Sequence, residues 1–274
     1  MATQVYPSLG YEVFSETRSG LHSFAMLLGS YNRVFAYAQK HWWHISLKPT
    51  VDGFTTGVLQ SDSKLFELIL NFRLLKVELH IEGMHVQEFS LAGESAASLQ
   101  EKLEVVFSGV GIRTLPDQGK LDTHQYRIDQ LQSVDIAHVY GRLAQCLARF
   151  RSEVSLETSP VQLWPHHFDL AMLVLTGRKI QGQDPENEEV SDEQLNIGFV
   201  SGDQGISEAY FYITFYPDEK RLEKVVLPEQ AFFFNEGWNG IVMHYDLFRK
   251  SRQAENVLTG LLQSAYDAVK EDVK

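Results

Sequence analysis

Four of the chain's ten histidines fall in two short aromatic runs, His41-Trp42-Trp43-His44 and Trp164-Pro165-His166-His167. Imidazole exchanges its proton near neutral pH, and its bare ring nitrogen binds metals. The run Trp43-His44-Ile45-Ser46-Leu47-Lys48 alternates apolar and polar residues, which predicts a half-buried strand with His44, Ser46 and Lys48 on one face. Phe168 to Leu175 reads as a second strand. His167 and Asp169 stand two residues apart, a spacing that in a strand puts both on one face with Cα atoms about 6.5–7 Å apart. If two halves of the chain pack about a pseudo-twofold axis, His44 and His167 meet across it. Asp169 then orients an imidazole or joins it as a ligand. Two imidazoles and a carboxylate can hold a divalent metal with open coordination positions. They can equally form a general base with its orienting acid. The plainer alternative has each histidine donating to a backbone carbonyl and Asp169 pairing with a nearby arginine such as Arg178. The His-Glu-x-x-His metal spacing is not present.

A second candidate lies in Tyr210 to Tyr216. Strand alternation sends Phe211, Ile213 and Phe215 to one face and Tyr210, Tyr212, Thr214 and Tyr216 to the other. The first face is core. The second combines apolar area with hydroxyls that can orient a ligand, or it is a sheet face covered by a helix or loop. Phe232 to Phe234 and Trp238 add aromatic mass nearby in sequence. The candidate ligand-binding residues are therefore His44, His167, Asp169, Tyr210, Tyr212, Tyr216 and Arg178, with His44, His167 and Asp169 as the metal candidates. The glycines Gly198, Gly202 and Gly205 lack dinucleotide-binding spacing, and neither a P-loop lysine nor a Gly-x-Ser-x-Gly elbow occurs.

The elements that must position these residues show in the periodicity. Leu21, Phe24, Leu28, Tyr31, Phe35 and Ala38 recur at helical spacing, as do Ile136, Tyr140, Leu143, Leu147 and Phe150, with Ser133 as the expected N-cap and Asp135 in the first turn. Leu99, Leu103, Val106 and Val110 mark a third helix capped by Ser95, and Ala254 to Val269 a fourth. Leu75 to Ile81 alternates with period two and Phe66 to Phe72 reads as its neighbour; Asn196 to Val200, Glu208 to Tyr216, Ala231 to Phe234 and Ile241 to Tyr245 are further strand candidates. Pro49 to Gly53 supplies a turn, and a further strand runs through Val58. Hairpin-like spacing without regular strand–helix alternation predicts an α+β fold with mainly antiparallel sheet. The expected division is a first half over residues 1–114, a polar connector over 115–132 containing Pro116 and Gly119, and a second half over 133–274, the halves alternatively forming one compact domain with a shared cleft.

Composition narrows the function classes. Of the residues, 44% are apolar and 22% charged, which is ordinary globular usage. The formal net charge is −12, and half of it lies in one run, Asp184, Glu186, Glu188, Glu189, Asp192 and Glu193, which reads as a solvated loop from Gly182 to Glu193. Clustered lysine and arginine, the mark of a nucleic-acid binder, is missing. No apolar run is long enough to span a membrane, and the N-terminus has no secretory pattern. Cys146 is the single cysteine, which excludes an internal disulfide and a cysteine-based zinc site; a buried thiol in a reducing cytoplasm is expected.

The halves share a pattern. Each opens with a helix bearing a histidine (His22, His138) and then an arginine (Arg33, Arg149), reaches a tryptophan–histidine element, and continues through strands to a final helix. Such order suggests a duplicated helix–strands–helix unit. The stretches Thr17 with Leu21-His22, His41-Trp42-Trp43-His44, Gly53-Phe54-Thr55-Thr56, Phe168-Asp169-Leu170-Ala171, Gly177-Arg178, Gly198-Phe199, Tyr210-Phe211-Tyr212 and Tyr216-Pro217 follow in an order that resembles an uncharacterised bacterial group, domain-of-unknown-function family 5996. The resemblance implies a shared fold and marked positions, and no activity. Three readings follow: a small-molecule-binding protein with a His/Tyr-lined cleft between its halves; a metal-dependent hydrolase-like enzyme using His44, His167 and Asp169; and a non-catalytic interaction module that forms a homo-oligomer.

Overall fold

The computed structural model describes residues 5–84, 87–115 and 121–270. The chain divides into two units whose sequences interleave. The first comprises residues 12–141 and 162–168, the second residues 1–11, 142–161 and 169–274. Pro116 and Gly119, which the sequence assigns to the connector, lie outside the described residues.

The first unit opens with helix α1 (Ser15–Phe35), whose apolar positions Leu21, Phe24, Leu28, Tyr31 and Phe35 are all buried, as their spacing predicts. A tight 3-10 segment, Lys40–Ile45, follows. Six antiparallel strands come next: β1 (Lys48–Pro49), β2 (Gly53–Thr55), β3 (Leu59–Ser61), β4 (Lys64–Asn71), β5 (Lys76–Ile81) and β6 (Gln87–Ser90), in the order β1-β2-β4-β5-β6 with β3 also on β4. In β5 burial alternates residue by residue, with Val77, Leu79 and Ile81 inside. Helix α2 (Ala96–Val110) is entered through a capping box between Ser95 and Ser98 and stopped by Gly111, which takes the left-handed conformation at φ 76°. Edge-to-face contacts join the helices to the sheet: Tyr31 with Phe107 at 5.5 Å, Phe35 with Phe66 at 5.3 Å and Phe66 with Phe107 at 5.1 Å.

Helix α3 (Gln130–Glu153) starts a turn earlier than the sequence predicts. Its cap is Asp129, whose Oδ1 accepts from the backbone N–H of Leu131 and Gln132 at 2.9 Å each. Ser133, the expected cap, is buried instead and donates its hydroxyl to the Phe72 carbonyl at 2.7 Å. Three strands follow: β7 (Glu157–Thr158), β8 (Gln162–Trp164) and β9 (Asp169–Lys179). Strand β8 belongs to the first unit, where Leu163 and Leu47 exchange backbone bonds of 2.8 and 2.9 Å.

The second unit is built on β9, then a helical turn α4 (Glu188–Ser191), β10 (Asp192–Val200), β11 (Tyr210–Tyr216), β12 (Ala231–Phe234) and β13 (Gly240–His244). The antiparallel order is β12-β13-β11-β10-β9-β7. Strand β9 is buried from Asp169 to Thr176 on both faces, as its continuous apolar run requires. Helices α5 (Tyr245–Lys250) and α6 (Ala254–Lys270) complete the unit, with Phe248 against Phe211 at 4.9 Å and Phe150 against Tyr266 at 6.4 Å. The acidic run is not one solvated loop. Residues 183–187 are exposed, but Asp192 and Glu193 enter β10, where Asp192 pairs with Lys179 at 2.6 Å and Glu193, 8% exposed, pairs with Arg178. Antiparallel sheets with packed helices make the fold α+β. No helix among the described residues is long and apolar enough to cross a membrane.

Candidate functional site

Helix α1 carries His22, Gly29 and Arg33 at spacings of seven and four, which places them along one helical face. Gly29 is there because nothing larger fits: a Cβ at this position would sit 2.6 Å from Cγ of Pro165. The helix therefore lies directly against the turn Pro165–Phe168, which bears His166 and His167. One end of that contact is held by His22, whose ring bonds the backbone at Pro165 and His166 and stacks on Phe168 at 5.4 Å. The buried Nε2 of His22 has no hydrogen-bond partner among the described residues. Burial pushes the His22 imidazole below its ordinary pKa.

Arg33 lies one turn beyond Gly29. Its guanidinium carbon is 5.5 Å from the centre of the Trp42 ring, and Trp42 stacks on His44 at 5.5 Å. The alternation through Trp43 to Lys48 predicts a strand here, and the structure corrects that. His41 and Trp42 adopt left-handed backbone, φ 50° and 57°, and the chain turns through Lys40–Ile45 before β1 begins at Lys48. His44 is thus turned inward, with Nδ1 accepting from the Gln39 N–H at 3.2 Å. Asn32 and Ser46 hold the turn from below: Asn32 Nδ2 donates to the Ser46 carbonyl at 2.6 Å, and Ser46 Oγ donates to the Trp43 carbonyl at 2.7 Å. His167 also lies outside any strand, in the turn before β9, so its same-face relation to Asp169 does not arise.

Backbone strain concentrates at this corner. Five non-glycine residues among those described have left-handed φ, and three of them, His41, Trp42 and Phe168, border the histidine cluster. Each costs roughly 1–2 kcal/mol for an L-residue. The strain at Phe168 is held by Tyr140, whose hydroxyl donates to the Phe168 carbonyl at 2.9 Å. Strain of this kind persists where surrounding packing over-determines it.

The electrostatics of the cluster are one-sided. His166, 4.4 Å from His167 between ring centres, is pushed down to about 4 by burial, then by the His167, Arg33 and His22 charges. His44 is lowered by burial and by Arg33. Both imidazoles are neutral at pH 7. Among the described residues, no carboxylate pairs with Arg33, His44, His166 or His167. Arg33 is exposed, and Trp42 is 48% exposed.

The remaining candidates lie in the second unit, where every one has a protein partner. Asp169, buried at the start of β9, accepts from the Tyr212 hydroxyl. Gly198 lies opposite Tyr212 in β10 and leaves room for that phenol; a Cβ there would collide with the Tyr212 Cζ and hydroxyl oxygen. Tyr210 donates to Asp203 Oδ2 at 2.7 Å, and Asp203 Oδ1 accepts from the Gly205 and Ile206 N–H groups at 2.7 and 2.9 Å. Burial raises both phenols, with Asp169 adding to the effect at Tyr212 and Asp203 at Tyr210. Tyr216 stands at the far end of β11 and reaches the Val190 carbonyl at 3.3 Å; Arg178 pairs with Glu193, not with Asp169. On the tyrosine face of β11, Tyr210 is buried and Tyr212, Thr214 and Tyr216 are half-buried, while the opposite face is fully buried, as alternation predicts. Among the described residues, no three of histidine, cysteine, aspartate and glutamate gather to hold a metal ion. Cys146 is buried and its thiol is pushed up to about 11 by that burial.

Sequence reasoning picks out His44 and His167 but not Arg33, Trp42, His166 or His22 as site residues. The signal was available in the spacing of His22, Gly29 and Arg33, which only one face of a helix satisfies. The chain belongs to a family of unknown function, DUF5996, which it matches over residues 6–274. No curated protein and no solved structure matches it.

Proposed function

We propose that this member of the family binds a small molecule at the corner of its first unit formed by Arg33, Trp42, His44, His166 and His167. The observation that carries this reading is the absence of any carboxylate on these groups, among the described residues, in a chain of net charge −12. Three features support it further: the left-handed residues around the corner, the half-exposed tryptophan, and neutral imidazoles that can accept a proton. The tyrosine face of the second unit supports a ligand less well, because its hydroxyls are already donated to Asp169, Asp203 and the Val190 carbonyl. A single buried thiol suits a reducing cytoplasm as the compartment.

A thermal-shift screen of acidic, neutral and basic metabolites tests the reading on untagged protein. At least one compound should raise the melting temperature by about 2 °C or more through preferential binding to the folded chain. His166→Gln should remove most of that rise. No hit, or hits indifferent to His166→Gln and Arg33→Gln alike, would reject the site. A hit abolished by Tyr212→Phe alone would move it to the second unit.

A further inference from the structure

We infer that the ligand anchors at this corner through an oxyanion, a carboxylate or a phosphate group, gripped by the Arg33 guanidinium with His44 and His166 beside it. The inference rests on the site proposed above and adds the chemistry of its occupant.

Three observations converge on it. Arg33 and His44 are both tied to the same ring, Trp42, at 5.5 Å each. Through the Gly29–Pro165 contact, one helical turn before Arg33, the turn bearing His166 is fixed against the same helix face. Guanidinium presents a planar fork of N–H donors matched to two oxygens of a carboxylate or phosphate. In this chain that fork stacks on an aromatic ring and bonds no acid among the described residues. Arginine left without an acid in an acidic protein is an attachment point for an acid from outside. The imidazoles suit the same occupant. Burial depresses both, and Arg33 adds to it, so an anion that offsets the Arg33 charge favours the protonated forms that donate to the bound oxygens. The half-exposed Trp42 ring gives an apolar platform for whatever carries the oxyanion.

The test uses the whole chain with ring-labelled histidine, followed by nuclear magnetic resonance. Sodium phosphate and sodium benzoate are titrated separately at constant ionic strength, with sodium chloride as the control. The His44 and His166 ring signals should shift saturably with phosphate or benzoate and not with chloride. Arg33→Gln should weaken that binding about tenfold or more, the scale of a charge-assisted bidentate pair, at an unchanged melting temperature. Tighter phosphate points to a phosphate ester, and tighter benzoate to an aromatic carboxylate using Trp42. Shifts equal to those in chloride, or equal affinity in Arg33→Gln, would overturn the oxyanion. A neutral compound from the thermal screen that needs His166 but not Arg33 would overturn it too, while leaving the site itself standing.

Discussion

In the second unit the Tyr212 hydroxyl goes to Asp169 and the Tyr210 hydroxyl to Asp203, whose other oxygen is taken by two backbone N–H groups. In the first, the His22 ring spends one nitrogen on backbone and leaves Nε2 buried without a partner, while Arg33, His44, His166 and His167 meet no acid among the described residues. Both regions began as polar aromatic clusters in the sequence. The difference lies in the acids: Tyr210, Tyr212 and Arg178 each meet a carboxylate, and the cations and imidazoles of the corner meet none among the described residues. A buried polar group whose bonds are all made within the protein stabilises a fold and has little left to offer a ligand, whereas an uncommitted one costs stability unless something outside completes it. The strain follows the same division, since His41, Trp42 and Phe168 all stand at the uncommitted corner.

Substitutions in the satisfied cluster should produce the largest stability losses. Gly198→Ala drives a methyl into the Tyr212 ring and should cost roughly 1–3 kcal/mol by overpacking. Tyr212→Phe, which strips a donor from a buried carboxylate, should cost about 1–3 kcal/mol. Chemical denaturation measures both, and a loss below about 0.5 kcal/mol in each would mean that the cluster is not structural. At the corner, Arg33→Gln should change stability by no more than about 0.5 kcal/mol, because the side chain is exposed. Trp42→Gly should stay within about 1 kcal/mol of the parent, since relief of left-handed strain offsets the modest packing of a half-exposed ring. A larger destabilisation there would erase the contrast between the units.

Acid titration sharpens it. His166 holds a folded-state pKa of about 4 against an unfolded value near 6.5, so the unfolded chain binds the proton more readily between those values. Its contribution is complete above the unfolded value and declines as pH falls from about 6.5 toward 4. His22 and His44 act in the same direction, and the groups that face the cluster, Arg18, Arg33 and His167, are cations or bases. Melting temperature should therefore drop over that range, ahead of carboxylate protonation, and the drop should be shallower in His166→Gln. A flat profile above pH 5 would contradict the cluster's electrostatics. The smallest effect concerns metal: added zinc should move the melting temperature by less than about 1 °C. A rise that vanishes in His167→Ala would bring back the metal site that the sequence raised and that no cluster among the described residues supports.

The helices and most strands were legible in the sequence because their signals are local. The alternation of β5 and β11 follows from period two, Ala231–Phe234 from its run of strand-favouring aromatics, and α1, α2 and α6 from apolar spacing near 3.6. The misreadings fell where tertiary packing overrode a local pattern. Trp43 to Lys48 alternates like a strand, yet stacking of Trp42 on His44 and of Arg33 on Trp42 holds a left-handed turn that periodicity does not encode. Ser133 looks like a cap and is instead a buried donor to Phe72, a residue 61 positions away.

What the sequence alone determined is the class of fold, its membership of a family over nearly the whole length, and the presence of imidazoles beside tryptophan. Periodicity and residue type suffice for those, because both act through neighbours in the chain. Which imidazoles lie together was decided only in three dimensions. The approach of Pro165 to Gly29 brings a turn more than 130 residues downstream onto the face that carries Arg33, and a long-range contact of that kind leaves no periodic trace in the chain. The same holds for commitment: whether a hydroxyl or imidazole is already spent depends on the partner that folding places beside it.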